Sequence, residues 1–288
     1  MRIVTLLARH GTTKYADAIE NIDELFAHQL PKVQREIVVI DNTLPEDYEK
    51  SVDRGRTLIG SSNAHWEFSA WDRGIAYLGR RIETYDLVHL ATSAFRSLYI
   101  RYLDRFNENM LSLIVGRGAA VGHIDYFNEP VVLLGRSLQA WIRTSFFFIP
   151  PEELRLLGSL TTINDPGRFF SGNPDRPFCA DAPLSTNYQK FILDWLTGGG
   201  TGQGVEWHSC FRLTAETLPY FEAKTVAMLN EQMLGVRLSA QGCAMVDATW
   251  LAARSTQLPP GQPLGAIPNW RWQITKRDTD AAPQTLIT

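Results

Sequence analysis

The chain has 288 residues, of which 44% are hydrophobic and 20% charged, and its 28 basic and 31 acidic side chains give a formal net charge of -3. This length is sufficient for one large α/β domain with a substantial buried core. The composition excludes a largely disordered or fibrous chain. The nearly balanced charge argues against nonspecific nucleic-acid binding as the main function.

The cysteines and the N-terminal residues indicate the cellular compartment in which we expect the protein. Cys179, Cys210 and Cys243 are widely separated and odd in number, so they encode neither a disulfide framework nor a zinc site. The N-terminus is a poor signal peptide, because Arg9 and His10 interrupt its short apolar run. No segment approaches the roughly 20 uninterrupted apolar residues that a membrane span needs. We therefore expect a cytoplasmic protein without a transmembrane segment, and we leave peripheral membrane association open.

The first half of the chain predicts alternating strands and helices. Apolar and β-branched stretches predict strands at 3–8, 36–40, 56–60, 85–90 and 119–124. Apolar residues at helical spacing predict helices at 16–29, 66–80 and 99–115. Strands separated by helices favour a parallel sheet with helices on its faces.

The second half has a different pattern. Residues 139–149 are aromatic and β-branched and stop at two prolines, which predicts a strand that could run antiparallel. Helices are predicted at 188–196 and 218–241, and the glycine-rich run 198–204 predicts a mobile loop that could act as a lid. The Pro-rich sequence beyond residue 259 predicts a partly ordered tail. We place the main domain at 1–255 and the tail at 256–288.

The motif after the first predicted strand is Arg-His-Gly-Thr, at residues 9–12. It resembles the Arg-His-Gly signature of histidine phosphatases, which implies a phosphate-ester hydrolase whose phosphoryl acceptor is His10. Such an enzyme also needs a second arginine, an acid and a late Gly-His pair to stabilise the phosphate dianion. Only the pair at 122–123 matches, and it comes early in the chain. A polar loop without chemistry is the simpler interpretation of this motif.

A second resemblance begins at the next predicted strand. Residues 38–43, Val-Val-Ile-Asp-Asn-Thr, resemble the second strand of family 2-type glycosyltransferases of the GT-A fold, where an Asp at the strand end contacts the nucleotide base. Ligands of α/β sheets bind in the crevice beyond the carboxyl ends of the strands. The resemblance therefore implies nucleotide-sugar contacts from Asp41, Asn42 and Arg9. Apart from this resemblance, the alternative interpretation is a turn, because Asp-Asn is common in turns that follow strands.

The resemblance continues through residues 59–75. Residues 70–75 read Ala-Trp-Asp-Arg-Gly-Ile, where the family has Ala-Arg-Asn-x-Gly-Ile at a helix start that faces the nucleotide. This match implies donor contacts from Asn63, Asp72 and Arg73. The pattern Asn-x-x-x-Glu-Phe-x-Ala-Trp at 63–71 is similar to that of rhamnan-type polysaccharide glycosyltransferases and implies acceptor contacts from Trp66 and Glu67. Core packing is the alternative for the aromatic residues.

The metal-binding Asp-x-Asp of the family has no counterpart. Residues 91–93 read Ala-Thr-Ser at this point. Two hydroxyl groups cannot replace two carboxylates as ligands of Mg²⁺ or Mn²⁺. We therefore expect no metal cofactor, and we expect Arg9, Arg73 or Arg96 to balance the diphosphate charge. Loss of transferase activity is the alternative.

The acceptor side is predicted from two further stretches. Residues 120–125 and 138–149 resemble acceptor-side strands of polysaccharide glycosyltransferases. Gln139, Arg143 and Ser145 share one face of a strand, because side chains alternate between faces. The resemblance implies acceptor contacts from His123, Gln139 and Arg143. Edge exposure or buried hydrogen bonding is the alternative for the strand residues, and a structural role is the alternative for His123.

The predicted catalytic residue is Glu231. Residues 229–242 resemble the Glu-Asp-x-x-Leu-Gly-x-Arg-Leu segment that closes the acceptor site of inverting GT-A enzymes. Aligned through Leu234 and Gly235, Glu231 takes the place of the family's catalytic Asp, and Asn230 replaces the other acid. A carboxylate in this place removes the proton of the acceptor hydroxyl. A solvated helix glutamate is the alternative.

The matches follow the family's order over roughly residues 1–250. They imply an α/β fold that is GT-A-like and Rossmann-related, with a mixed, mostly parallel sheet flanked by helices. The implied function is inverting transfer of a sugar from a nucleotide-sugar donor to a carbohydrate or lipid-linked carbohydrate acceptor in polysaccharide assembly. A hydrolase that uses His10 and a non-catalytic carbohydrate-binding relative remain alternatives.

Overall fold

The computed structural model describes residues 1–53, 55–97, 100–199, 210–259 and 261–280. In this part of the chain, eight strands form one sheet: β1 (Arg2–Arg9), β2 (Gln34–Asp41), β3 (Glu49–Asp53), β4 (Arg56–Gly60), β5 (Leu87–Thr92), β6 (Ala119–Leu133), β7 (Arg136–Ile149) and β8 (Ala244–Asp247). Their spatial order is β3-β4-β2-β1-β5-β7-β6-β8.

The sheet is mixed. β1 pairs in parallel with β2 and β5, β2 with β4, and β6 with β8. β7 runs antiparallel to both of its neighbours, β5 and β6, and β3 runs antiparallel to β4. The predicted α/β class with a mixed, mostly parallel sheet is confirmed, and so is the antiparallel direction of the strand predicted at 139–149.

Eight α-helices accompany the described strands: α1 (Ala18–Gln29), α2 (Glu67–Leu78), α3 (Glu108–Ser112), α4 (Pro151–Leu157), α5 (Thr186–Thr197), α6 (Leu218–Ala240), α7 (Ala248–Gln257) and α8 (Trp270–Asp280). α1, α3 and α7 pack on one face of the sheet, and α2, α4 and the end of α6 pack on the other. Helices cover both faces, so β1 is buried along almost its whole length and reads as a continuous apolar run. Within the described ranges, no helix is both long and apolar enough to cross a membrane.

The helix predicted at 99–115 is divided in the structure. A short 3-10 helix covers Arg101–Arg105, and α3 starts anew after an extended Phe106. The Asn107 side chain accepts a hydrogen bond from the Met110 backbone N–H at 2.9 Å and caps the new helix. The strands β3 and β8 and the helices α4, α7 and α8 were not predicted. Most of the predicted loop at 198–204 lies outside the described residues.

The β6–β7 hairpin extends beyond the carboxyl end of β5. β5 pairs only with the last residues of β7, from Phe146 to Ile149, so the earlier part of β7 projects past the edge of the parallel strands. A third apolar cluster supports this projection, where Phe127 and Trp141 of the hairpin pack against α5 and α6. The projecting hairpin forms one wall of the crevice at this edge.

The region predicted as a tail includes a packed helix. α7 continues through the predicted boundary to Gln257, and α8 packs on the edge strand β8. Gln273, which is fully buried, accepts a hydrogen bond from the Asp247 backbone N–H at 2.8 Å and donates to the Met245 carbonyl at 3.0 Å. Its side chain thus satisfies polar groups of the edge strand. The packed part of the structure therefore extends into α8 rather than ending at residue 255.

Candidate active site

The strand order reverses at β1. The chain passes from β1 to β2 and β4 on one side and then returns to β5 on the other. Open α/β sheets bind ligands at such a reversal, outside the carboxyl ends of the strands. Three residues end the strands there: Arg9 on β1, Asp41 on β2 and Thr92 on β5. A ligand site is therefore expected at this edge of the sheet.

Asp41 organises the loops that follow β1 and β2. It is 2% exposed. Its Oδ2 accepts a hydrogen bond from Arg9 Nε at 2.7 Å, and its Oδ1 accepts from the backbone N–H groups of Gly11 and Thr43 and from the Thr43 hydroxyl. Burial alone would raise the pKa of Asp41, but the hydrogen bonds from Thr43, Gly11 and Arg9 outweigh it and lower the pKa. Asp41 therefore stays ionised and holds the loops in place.

Asn42 ties the end of β2 to the start of α2. Its Nδ2 donates to Asn63 Oδ1 at 3.0 Å and to the Trp66 carbonyl at 2.9 Å. Trp66 has φ of 54°, an unusual value for a residue other than glycine. Its ring lies 6.2 Å from that of Tyr220 on α6. The residues predicted for donor binding at the ends of β2 and β4 thus form one hydrogen-bonded unit, with Trp66 facing α6.

A pocket of about 250 Å³ lies beside this unit, between α2, β5, β7 and α6. Most of its wall is apolar and a few polar groups converge on it, as is typical of ligand sites. Its lining residues are Trp66, Glu67, Thr92, Ala94, Thr144, Leu196, Lys224, Ala227, Met228 and Glu231. The structure therefore brings together the predicted catalytic Glu231 and two residues predicted for the acceptor, Trp66 and Glu67.

Thr144 orients the Glu231 carboxyl group. Glu231 Oε1 accepts hydrogen bonds from the Thr144 backbone N–H at 2.8 Å and from the Thr144 hydroxyl at 2.9 Å. No hydrogen bond among the described residues engages its Oε2. Burial raises the pKa of Glu231, and the charge of Asp125 adds to the rise against the opposing Thr144 hydrogen bonds. Glu231 is therefore a fixed carboxyl group with increased basicity.

Glu67 and Lys224 share the pocket with Glu231. Burial raises the pKa of Glu67 to about 7, with a further contribution from Glu231 and an opposing one from Lys224. Burial lowers the pKa of Lys224. The charge of Glu67 opposes this decrease, and the charge of Lys14 adds to it. Lys224 Nζ lies 5.8 Å from the centre of the Trp66 ring. The pocket therefore combines two carboxyl groups with raised pKa values and one ammonium group.

An ionic cluster lies next to Glu231. Arg143 donates to both carboxylate oxygens of Asp125, from Nε at 2.9 Å and from Nη2 at 2.7 and 2.9 Å, and His123 Nε2 lies 3.3 Å from Asp125 Oδ1. Burial would raise the pKa of Asp125, but Arg143 and His123 hold it well below its usual range. His123 and Arg143, predicted to contact the acceptor, thus keep Asp125 charged, and Asp125 in turn raises the pKa of Glu231.

Asp72, predicted to bind the donor, is not part of the pocket lining. Its carboxylate accepts hydrogen bonds from the Leu160 backbone N–H at 2.6 Å and from the Thr161 hydroxyl at 3.1 Å. Asn230 holds the same loop, because its Oδ1 accepts from the backbone N–H groups of residues 162 and 163. Asp72 and Asn230 therefore both hold the loop that follows α4.

Gln139, Arg73 and Arg96 also lie outside the pocket lining. Gln139 Nε2 donates to the carbonyls of residues 127 and 128, where the pairing of β6 and β7 is irregular. Arg73 donates to a carbonyl in the loop before β3 at 3.1 Å, and Arg96 lies 3.6 Å from a carboxylate oxygen of Glu24. These side chains have structural partners, so their predicted contacts with donor or acceptor stay predictions.

The proposed phosphatase residue His10 is exposed just beyond β1. The neighbouring Arg9, which a histidine phosphatase would direct at the phosphate, pairs with Asp41 instead. His10 does not line the pocket that contains the two carboxyl groups. The geometry therefore gives less support to phosphoryl transfer to His10 than to chemistry at Glu231.

Lys224 and Thr144 line the pocket but were not among the predicted site residues. Lys224 lies seven residues before Glu231, so the two side chains share one face of α6, and Ala227 and Met228 complete the same stripe. This spacing was a readable signal. No sequence signal indicated Thr144, because its partner Glu231 lies on α6, 87 residues later in the sequence.

The side chains at the end of β5 do not offer the carboxylate oxygens that would bind Mg²⁺ or Mn²⁺. Thr92 presents a hydroxyl group there, and the Lys224 ammonium in the same pocket would repel a divalent cation. In the described ranges, no group of three His, Cys, Asp or Glu side chains could hold a metal ion.

Comparison with known proteins gives no family. No protein-family model matches the chain, and no curated protein matches it significantly. Function must therefore be inferred from the geometry and the chemistry of the pocket.

Replacing Glu67 should change the pH dependence of stability. Because folding raises its pKa from 4.5 to about 7, the folded state binds more protons than the unfolded state between these values, and stability falls as the pH rises through them. Glu67→Gln should thus increase the free energy of unfolding at pH 8, by at most about 3 kcal/mol, and change it little at pH 5. Urea unfolding at both pH values measures this difference.

The matched control for this experiment is Glu152→Gln, which alters an exposed glutamate on α4. It should leave both free energies unchanged. An equal gain from Glu67→Gln at both pH values, or no gain at pH 8, would show that burial does not raise the pKa of Glu67.

Proposed function

We propose that the protein transfers a sugar from a nucleotide-sugar donor to a carbohydrate acceptor, with Glu231 as the catalytic base. One observation carries this proposal: Glu231 lies in a pocket at the reversal of the strand order, and two hydrogen bonds from Thr144 orient it. A fixed carboxylate with a raised pKa suits removal of a proton from a hydroxyl group.

The sheet topology supports a GT-A-like, Rossmann-related fold for this proposal. The parallel strands β4, β2, β1 and β5 form a half that suits a nucleotide, because their carboxyl ends surround the crevice. The antiparallel β7 and its hairpin with β6 form a second half, which contributes Thr144 and the ionic cluster of Asp125 and Arg143. The donor would occupy the first half and the acceptor would approach along the second.

The charges around the pocket suit a diphosphate. Lys224 lines the pocket, and Lys14 is close enough to lower its pKa. A lysine ammonium binds phosphate oxygens as a point charge. In this proposal Lys224, with Lys14, takes the role of balancing cation that was predicted for Arg9, Arg73 or Arg96. Asp41 is 2% exposed and already accepts four hydrogen bonds, so in this proposal it acts on the nucleotide through the loops that it holds.

The proposed reaction is a single displacement. The acceptor hydroxyl oxygen forms a bond to the anomeric carbon as its proton passes to Glu231. The bond from the anomeric carbon to the diphosphate oxygen breaks, and its electron pair leaves with the nucleoside diphosphate. Lys224 stabilises that developing charge. Attack opposite the leaving group inverts the anomeric centre. A role in cytoplasmic polysaccharide assembly, with a free or lipid-linked acceptor, belongs to this proposal.

A thermal-shift panel tests the donor class. We expect at least one donor among the UDP-, GDP-, dTDP- and CMP-linked sugars to raise the melting temperature of the protein. A ligand at 100 times its Kd adds about 2.7 kcal/mol to the free energy of unfolding. We expect EDTA to leave this shift unchanged. Lys224→Met should weaken donor binding, whereas Lys190→Met, on the exposed side of α5, should not.

Three results would contradict the proposal. If no nucleotide sugar binds while free oligosaccharides do, the protein is a carbohydrate-binding relative without transferase activity. Hydrolysis of para-nitrophenyl phosphate that His10→Ala abolishes would instead support the phosphatase alternative. Loss of donor binding in EDTA, restored by Mn²⁺, would overturn the metal-free arrangement.

A further inference from the structure

The pocket between α2 and α6 contains one acidic group that the proposed transfer does not use. In that reaction Glu231 takes the proton of the acceptor hydroxyl, and the nucleoside diphosphate leaves as an anion, since its phosphate oxygens are acidic and need no proton. Glu67, the first residue of α2, lines the same pocket and takes part in neither step. Its carboxyl group is therefore available for a different reaction.

The two carboxyl groups of the pocket differ in their hydrogen bonds. Glu231 Oε1 accepts from the Thr144 backbone N–H at 2.8 Å and from the Thr144 hydroxyl at 2.9 Å, and such bonds favour the ionised form. Among the described residues, no other residue donates a hydrogen bond to Glu67, which interacts with its own backbone N–H. The hydrogen bonds therefore favour an ionised Glu231 beside a protonated Glu67.

The charges in the pocket act in the same direction. Burial raises the pKa of Glu67 to about 7; its own backbone N–H opposes this rise, the charge of Glu231 adds to it, and Lys224 opposes it. Two carboxyl groups in one pocket do not readily ionise together, because like charges repel. β5 and β7 contribute Thr92 and Thr144 to the wall, and neither hydroxyl titrates near neutral pH. The pocket thus holds an acid and a base together.

We propose that the pocket also cleaves glycosides with water, with Glu67 as the general acid and Glu231 as the base. Most glycoside hydrolases place one protonated and one ionised carboxyl group at the scissile bond. Glu231 takes a proton from water as the water oxygen bonds to the anomeric carbon. The bond from that carbon to the glycosidic oxygen breaks, its electron pair stays on the oxygen, and Glu67 donates a proton to it. Proton exchange with solvent restores both groups.

The walls of the pocket suit a single sugar ring. Its volume of about 250 Å³ lies below the roughly 300–1,000 Å³ of pockets for drug-sized ligands. The Trp66 indole, next to Glu67, offers a flat surface to the apolar face of a sugar. Asn42 Nδ2 and Ser69 Oγ donate to the Trp66 carbonyl at 2.9 and 3.0 Å and hold its unusual backbone conformation. The aromatic wall beside the acid is therefore fixed in place.

Hydrolysis of paired glycosides without any nucleotide tests this activity. The probes are the methyl and 4-nitrophenyl glycosides of glucose, galactose, mannose and rhamnose, each as both anomers. A methoxide leaving group needs a proton from an acid, whereas 4-nitrophenolate leaves without one. For the sugar that is cleaved, Glu67→Gln should lower kcat/KM of the methyl glycoside by about 10²–10⁴-fold and that of the 4-nitrophenyl glycoside by less than about tenfold. Cleavage of the latter also shows that the variant is folded.

The pH profile gives a second readout. Because Glu67 must be protonated, wild-type cleavage of the methyl glycoside should fall as the pH rises above about 7. The 4-nitrophenyl glycoside should lack this alkaline limb. Glu231→Gln should slow cleavage of both glycosides, since both need the base. Glu152→Gln, at an exposed position on α4, should slow neither.

Two results would overturn the inference: cleavage of none of the probes, or an equal loss on both glycosides in Glu67→Gln, which would mark a residue that only binds the sugar. The inference shares the base Glu231 with the proposed function, but nucleotide-sugar binding separates the two. Cleavage without a nucleotide-sugar thermal shift would support the glycosidase activity and contradict the transferase. A thermal shift without cleavage would do the reverse.

Discussion

Glu231→Gln is expected to lower kcat by about 10²–10⁴-fold and to leave donor affinity unchanged. The carbonyl oxygen of Gln can still accept both hydrogen bonds from Thr144, at 2.8 and 2.9 Å in the wild type. The amide group replaces only the oxygen that would take the proton. A fall in kcat without a change in donor binding is the signature of an interaction needed in the transition state.

Steady-state transfer assays with the donor found by thermal shift measure this effect. Glu222→Gln is the matched control, because it lies on the same helix and does not line the pocket. Since burial raises the pKa of Glu231, the acid limb of kcat/KM should lie above the ordinary glutamate value of 4.5. If Glu231→Gln keeps near wild-type turnover while Glu67→Gln or Asp125→Asn loses it, the base is one of those carboxylates.

Asp247→Ala is expected to cost about 3–5 kcal/mol of stability, the usual effect of removing one partner of a buried ion pair. Asp247 is fully buried at the end of β8. Its carboxylate accepts hydrogen bonds from the Ile124 backbone N–H at 3.2 Å, from the first N–H groups of α7, and from Arg277 Nη1 at 3.0 Å. The substitution would thus uncap α7 and leave the Arg277 guanidinium without this carboxylate.

Urea unfolding followed by circular dichroism measures this cost. Asp247→Asn should cost less than the alanine variant, because an amide oxygen can still accept from α7. Asp175→Ala, at an exposed loop position, should change stability by less than about 0.5 kcal/mol. A cost below about 1 kcal/mol for Asp247→Ala would mean that α8 and the edge of the sheet are not coupled through this carboxylate.

The strands of the parallel half and the long helix α6 could be predicted from local sequence alone. β1, β2 and β5 are covered on both faces, so their burial produces apolar runs that can be read without knowledge of their partners. Helix α6 was predicted at 218–241 and spans Leu218–Ala240. It has 23 residues, so its helical pattern can be recognised despite local irregularities. The ends of these strands also located Asp41 and Thr92 at one edge of the sheet.

Which polar side chains share the pocket depends on contacts between distant parts of the chain. Asp72 and Glu67 are five residues apart on α2, yet Asp72 holds the loop after α4 and Glu67 faces Glu231. Likewise β8 is too short to predict, and α8 belongs to the packed domain only because Gln273 and Arg277 reach the edge strand. A sequence pattern records burial along one segment, whereas the partner of a polar group depends on the order of the strands and on contacts between distant parts of the chain.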